Sequence, residues 1–250
     1  MKILITNDDG IHSPGLSALR AALEPHHEVW VLAPDGERSG TSHSLTLKEP
    51  IKCVSVAERM FACSGTPADC VILGYLGAIP VKPEVVIAGI NIGPNLGTDV
   101  LYSGTAAAAR QAAIMGYPGI ATSIAGFVPP FYFKGITNFV SENLDTLCSL
   151  WDEDHFININ GPNIDNPAPP VSITRLARRI YQDRLVHYES PRGESYYFLD
   201  GHPIENEEVK ESDTRAVDQG ALSVSPVYLN PTDLQEIAAY KEAQFRAKEA

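Results

Sequence analysis

Five apolar runs rich in β-branched residues punctuate the first 160 residues: KILIT (2–6), EVWVLAP (28–34), EVVIAG (84–89), GIATSI (119–124) and HFININ (155–160). Their apolar stretches are continuous rather than strictly alternating, which is the signature of strands buried on both faces. Helical spacing fills the gaps. Residues 14–23 put Leu16, Leu19, Ala22 and Leu23 on one face, with Ser13 as N-cap and Pro14 at the first helical position. Residues 65–76 open a second helix, with Thr66 as N-cap and Asp69 three places on, a capping box with Asp in place of Glu. Residues 105–116 form an Ala-rich helix closed by Gly116, and residues 134–150 form a further amphipathic one. Strand–helix alternation of this kind predicts an α/β fold: a Rossmann-like, mostly parallel sheet with helices on both faces.

The proline-rich stretch GPNIDNPAPP (161–170) separates a core of residues 1–160 from an extension of residues 161–250. Residues 171–228 read as β segments with turns, including a hairpin around SPRG (190–193). The tail reads as a helix with Thr232 as N-cap, Gln235 at N3, and Leu234, Ile237, Ala238 and Phe245 near one face. Hairpin and helix arms are expected to complete the same globular unit and to supply oligomer contacts.

The surface chemistry narrows the partners. Asp+Glu outnumber Lys+Arg, 31 to 19, for a formal net charge of -12, which disfavours a nucleic acid polymer. A small phosphorylated substrate stays open, because a bound metal can make one site locally positive. No run approaches the roughly 18 apolar residues of a membrane span. With no charged leader and apolar signal core ahead of the first strand, a cytoplasmic home is expected, and Cys53, Cys63, Cys70 and Cys148 are expected to stay reduced.

The first strand ends in Asn7, Asp8, Asp9 and Gly10. In open parallel sheets ligands gather beyond the carboxyl ends of the strands. A lone Asp-Gly makes a turn. Two acids at the end of a buried strand repel each other and resist desolvation, and a divalent cation with oxygen ligands resolves both costs. Ser39 in ERSG and Asn91 in GINIGPN sit on other strand-end loops. On spacing alone each is a loop hydrogen bond as readily as a ligand. YSGT (102–105) precedes the Ala-rich helix, so Ser103, Thr105 and the first N–H groups make either an anion site or an ordinary N-cap. Asn95 reads as a phosphate contact or an Asx turn. His43, near the Ser39 loop, reads as an acid for a leaving alkoxide or as an idle surface histidine. GxxxxGK[ST], GxGxxG and Gly-x-Ser-x-Gly are all missing, which disfavours a P-loop, a dinucleotide fold and a serine hydrolase.

Taken together, ILITNDDG, APDGERSGTSHSLT, GTPADCV and GINIGPNLGTDVLYSGT, in this order across residues 3–105, resemble the SurE family (stationary-phase survival protein E, a 5'/3'-nucleotidase). The resemblance implies a metal-dependent phosphomonoesterase acting on nucleoside 5'- and 3'-monophosphates, with short polyphosphate as a further substrate. It implies one divalent cation per subunit, Mg²⁺ or Mn²⁺, held by Asp8, Asp9, Ser39 and Asn91. It places Asn95, Ser103, Gly104 and Thr105 around the phosphate. For the hydrolysis itself, the residues read as Asp8 or Asp9 activating a water and His43 as a candidate acid for the leaving oxygen. The resemblance also implies a homodimer or homotetramer that exchanges the hairpin near 180–200 and the tail helix. The competing reading is a metal- and nucleotide-binding sensor without turnover. A response-regulator-like phosphoacceptor would need a lysine at a later strand end, and GIATSIAG (119–126) has none.

Overall fold

A computed structural model of the chain describes residues 1–204 and 210–243. The core builds from β1 (Lys2–Thr6), α1 (Pro14–Leu23), β2 (Glu28–Pro34), β3 (Cys53–Ala57), β4 (Met60–Cys63), α2 (Pro67–Leu76) and β5 (Val85–Ile92). It continues through α3 (Gly104–Ile114), β6 (Gly119–Ala125), α4 (Lys134–Leu150) and β7 (His155–Pro162). After it come β8 (Val171–Ile173), β9 (Ile180–Glu189), β10 (Ser195–Ile204), α5 (Asp213–Asp218), β11 (Leu222–Tyr228) and α6 (Ile237–Glu242).

Nine strands form one sheet in the order β3-β4-β2-β1-β5-β6-β7-β11-β8. The strands from β4 through β2, β1, β5 and β6 to β7 pair in parallel. The chain steps from β1 to β2 on one side, then returns to place β5 on the other. The strand order reverses at β1 and β5, and the carboxyl ends of those two strands frame a crevice.

Pleating sorts the apolar side chains. Ile3 and Ile5 of β1 join Leu16 and Leu19 of α1 and Val140 and Leu144 of α4 in one core. Leu4, between them, points the other way and joins Val71 of α2 and Ala108 and Ala112 of α3. Helices therefore cover both faces, as the continuous apolar runs require. The Ala side of α3 lets that helix lie close on the sheet, with Ala106 to Ala109 fully buried.

Thr66 and Asp69 form the expected capping box at the start of α2. Ser13 departs from expectation: its side chain makes no cap hydrogen bond, and its hydroxyl is buried without a partner. Pro14 at the first helical position has no N–H to satisfy and presets the helical φ, so the first turn forms without the cap.

Beyond residue 160, β11 adds antiparallel to β7, and β8 adds parallel to β11, so both extend the core sheet. β9 and β10 form a separate two-stranded hairpin around the expected turn. The tail corrects one expectation. Thr232 does not cap a helix; its N–H and hydroxyl both bond to Asn230 Oδ1, and α6 begins only at Ile237. No residue of α6 is buried, so among the described residues no packing extends it back toward Thr232. Phe245 lies outside the described residues. Among the described residues no helix is long and apolar enough to cross a membrane.

Candidate active site

The crevice begins with the turn after β1. Asn7 closes it: its Nδ2 donates to the Gly10 carbonyl at 3.0 Å, and its Oδ1 accepts from the Gly10 N–H at 3.2 Å. Gly10 has a φ of 97°, and a Cβ there would meet the Gly36 backbone at 3.1 Å. Glycine therefore lets the turn run against the loop of residues 35–44. The Arg38 N–H then donates to the Asp8 carbonyl at 2.7 Å, which fixes the Ser39 segment beside the paired acids.

Asp8 is 4% exposed and faces the start of α3. Its Oδ1 accepts from the Thr105 hydroxyl at 2.5 Å, and its Oδ2 from the Thr105 N–H at 3.2 Å. Only glycine fits at 104, because a Cβ there would lie 2.9 Å from both Cβ and Oδ2 of Asp8. Burial raises the Asp8 carboxyl above its ordinary range, while the Thr105 hydroxyl and nearby N–H groups pull it down. Asp9 is raised to about 6, first by burial and next by the charge of Asp8, with Glu37 adding a little. The Ile92 N–H, 3.1 Å from Asp9 Oδ2, opposes that rise.

Asp8, Ser39, Asn91, Asn95 and Ser103 line one open cavity of about 320 Å³, with Tyr102, Phe127 and Tyr181 on its wall. Asn91 Nδ2 donates to the Gly93 carbonyl at 2.7 Å, which leaves its Oδ1 as the free oxygen. Ser39 Oγ donates to Glu37 Oε1 at 3.0 Å and keeps its lone pairs. Among the described residues no three or more His, Cys, Asp or Glu side chains gather as a metal site. The available set is two carboxylates and neutral oxygens, which suits Mg²⁺ or Mn²⁺ and not zinc. Both acids are strained toward their neutral forms, so a dication would relieve the strain that their placement creates.

The other expected residues are placed as follows. Ser103 caps α3, its Oγ accepting from the Ala106 N–H at 2.9 Å, and also lines the cavity. Gly104 and Thr105 stand behind Asp8 and are buried. Asn95 is held from three sides. Its N–H donates to Asn160 Oδ1 at 2.8 Å, its Nδ2 donates to Ser123 Oγ at 2.8 Å, and its carbonyl accepts from Asn158 Nδ2 at 2.9 Å. His43 is outside the residues that line the cavity. Its Nε2 lies 2.8 Å from Gln111 Oε1 on α3, and burial lowers its pKa, favouring the neutral ring.

Sequence reasoning missed three supports. Asn158 and Asn160 are fully buried on β7, where two polar residues at a spacing of two share one strand face; that spacing inside HFININ was the available signal. Asp213, also fully buried, accepts from the Gly97 N–H at 2.6 Å and the Ala177 N–H at 2.9 Å. Arg179 and the Tyr181 hydroxyl both bond to Asp99 Oδ2, which ties the hairpin base to the cavity wall. Nothing local marks these last contacts.

A family model described as Survival protein SurE matches residues 3–183. A Kosmotoga olearia protein named 5'-nucleotidase SurE is 41% identical over 248 residues, covering 97% of this chain and 98% of its own. A Geotalea daltonii protein of the same name is 38% identical over 245 residues, with coverage of 97% and 98%. The crystal structure of the SurE protein from Aquifex aeolicus superposes with a TM-score of 0.84 at 36% identity, covering 96% of this chain and 98% of that one.

Proposed function

This chain belongs to the SurE family, and from that premise we propose that it is a divalent-metal-dependent phosphomonoesterase that hydrolyses nucleoside monophosphates. One observation carries the reading: the buried Asp8 carboxylate, with the half-buried Asp9 next to it in the chain, and Ser103 at the N-terminus of α3 meet at a single cavity, at the point where the strand order reverses. Asp8, Asp9, Ser39 and Asn91 would hold the cation. Bound there, it would supply charge neutralisation on the phosphoryl oxygens as the ester bond breaks.

The chain's own groups do the rest. The Ser103 hydroxyl, whose oxygen accepts from the Ala106 N–H, keeps its proton for an anion at the positive end of α3. Thr105 and the Ile92 N–H orient the two carboxylates. Asp8 or Asp9 would take a proton from the attacking water. His43 holds the Ser39 loop against α3 through Gln111. On the outer wall, Tyr102 and Phe127 are 67% and 76% exposed. Phe127 lies over Gly93, its ring edge 2.6 Å from where a Cβ would stand. Exposed aromatic faces beside a phosphate site suit a nucleobase, and stacking of this kind tolerates any base.

The same cavity would accept 3' esters and the end of a short polyphosphate, whose terminal phosphoryl presents the same oxygens. We also read the β9–β10 hairpin as a subunit contact, making a homodimer or homotetramer. Leu185, Tyr188, Tyr196, Phe198 and Leu199 are all exposed on it in the single chain.

Release of inorganic phosphate from a panel of mononucleotides, with Mn²⁺, Mg²⁺ or EDTA, tests the reading. Turnover with a dication and none in EDTA is expected. Metal-dependent nucleotide binding with no phosphate released would replace the enzyme with a sensor.

A further inference from the structure

Cys53 of β3 and Cys63 of β4 are direct cross-strand partners in an antiparallel pair. One step along, the Ser64 N–H donates to the Lys52 carbonyl at 2.9 Å. Lys52 and Ser64 are therefore a hydrogen-bonded pair, and Cys53 and Cys63 occupy the adjacent non-hydrogen-bonded position. At such a position the Cα atoms approach to about 4.5 Å and the side chains converge. That separation falls inside the roughly 4.4–6.8 Å range of disulfides.

A third thiol completes the cluster. Cys63 Sγ accepts from the Gly65 N–H at 3.3 Å and packs in one cluster with Cys70 of α2 and with Cys53. The neighbouring Cys70 thiol foremost, with the Gly65 N–H, brings the Cys63 thiol down to about 7. Access runs the other way: Cys63 and Cys70 are buried, while Cys53 is partly exposed near the sheet edge. Burial pushes the Cys53 thiol up to about 11.

We propose that Cys53 and Cys63 are a thiol–disulfide exchange site for low-molecular-weight disulfides such as oxidised glutathione. The Cys53 sulfur attacks one sulfur of the small disulfide, forming a mixed disulfide and expelling one small thiolate. The Cys63 thiolate then attacks the Cys53 sulfur, forming the Cys53–Cys63 bond and expelling the second small thiolate. The two protons lost from the protein thiols end on the two small thiols. Two protein thiols are oxidised and one small disulfide is reduced. Entry at Cys53 is a bimolecular step and closure by Cys63 joins direct cross-strand partners, so closure is the faster one. The bond is placed where it matters to the cavity. The Cys63 carbonyl accepts from the Asp35 N–H at 2.7 Å, and the Ser64 carbonyl accepts from Arg38 Nη2 at 3.3 Å. The loop that carries Ser39 hangs from those two residues.

The test treats the full chain with oxidised glutathione, quenches with an alkylating agent and maps the peptides. A Cys53–Cys63 link is expected, reversed by dithiothreitol, with Cys70 and Cys148 recovered alkylated. Cys63→Ser should stop at glutathione on Cys53, and Cys70→Ser should still form the link. Cys53→Ser, a change at a partly exposed position near the sheet edge, should lose both the link and the rise in Tm that oxidation gives the parent. No link in the parent, a dominant Cys63–Cys70 link, or an equal Tm rise in Cys53→Ser would each overturn the proposal.

Discussion

Asp9→Asn tests whether the paired acids are a liability that a cation repairs. Without a cation, the Asp9 carboxyl keeps its proton up to about pH 6 in the folded chain, against an ordinary value of 3.8. Between those pH values the folded state binds more protons than the unfolded state, so stability falls as pH rises. The full difference is about 3 kcal/mol by linkage. Solvent screening at this partly exposed carboxylate brings the working figure to about 2 kcal/mol. Asparagine keeps an oxygen for the Ile92 N–H and removes the charge that also burdens Asp8. In EDTA at pH 7 the variant should therefore melt about 4–8 °C above the parent. The gap should narrow as pH falls from 6 toward 4, where Asp9 is protonated in the parent's folded state and about half protonated in its unfolded state. Saturating Mn²⁺ should raise the parent's Tm and leave the variant's nearly unchanged. The assay is scanning calorimetry over pH 4 to 8, with and without metal. A variant less stable than the parent in EDTA at pH 7, or a gap that ignores pH, would refute the electrostatic reasoning.

Thr105→Val removes the hydroxyl on Asp8 Oδ1; it should cost about 1.5–3 kcal/mol of stability and lower kcat, while Thr105→Ser restores both, as urea unfolding and phosphate release would show. Phe127→Ala should raise KM for nucleoside monophosphates about five- to 150-fold and leave ribose 5-phosphate unaffected; equal losses on both would remove the base from that wall. His43→Ala should keep kcat within about tenfold of the parent, since the ring faces Gln111; a loss beyond the ~10²-fold expected of a general acid would return His43 to the chemistry.

The sheet was legible because each core strand announces itself locally. A continuous apolar run bounded by Pro, Gly or an acid needs no distant partner to be recognised, and β1, β2, β5, β6 and β7 all fall where such runs do. The capping box of α2 and the Gly116 stop of α3 are equally local. The cavity was legible as a list of loops, because all of them follow strand ends. What the list lacked was direction. Thr105 turns inward to Asp8, across 97 residues of sequence, and no neighbour in the chain records that choice. Asn158, Asn160 and Ser123 come from two different strands to hold Asn95. Asp213 reaches Gly97 from 116 residues away. The tail misled for the opposite reason: its spacing favoured a helix from Thr232, but a strong local pattern without a surface to bury against yields only the short α6.

The central claim is that Asp8 and Asp9 are placed together to hold a dication. An anomalous difference map of crystals soaked in MnCl₂ tests it most directly. One strong peak per subunit is expected, within coordination distance of both carboxylates and of Ser39 and Asn91. An empty map at that position, with the two carboxylates directed apart and Mn²⁺ bound elsewhere, would contradict it.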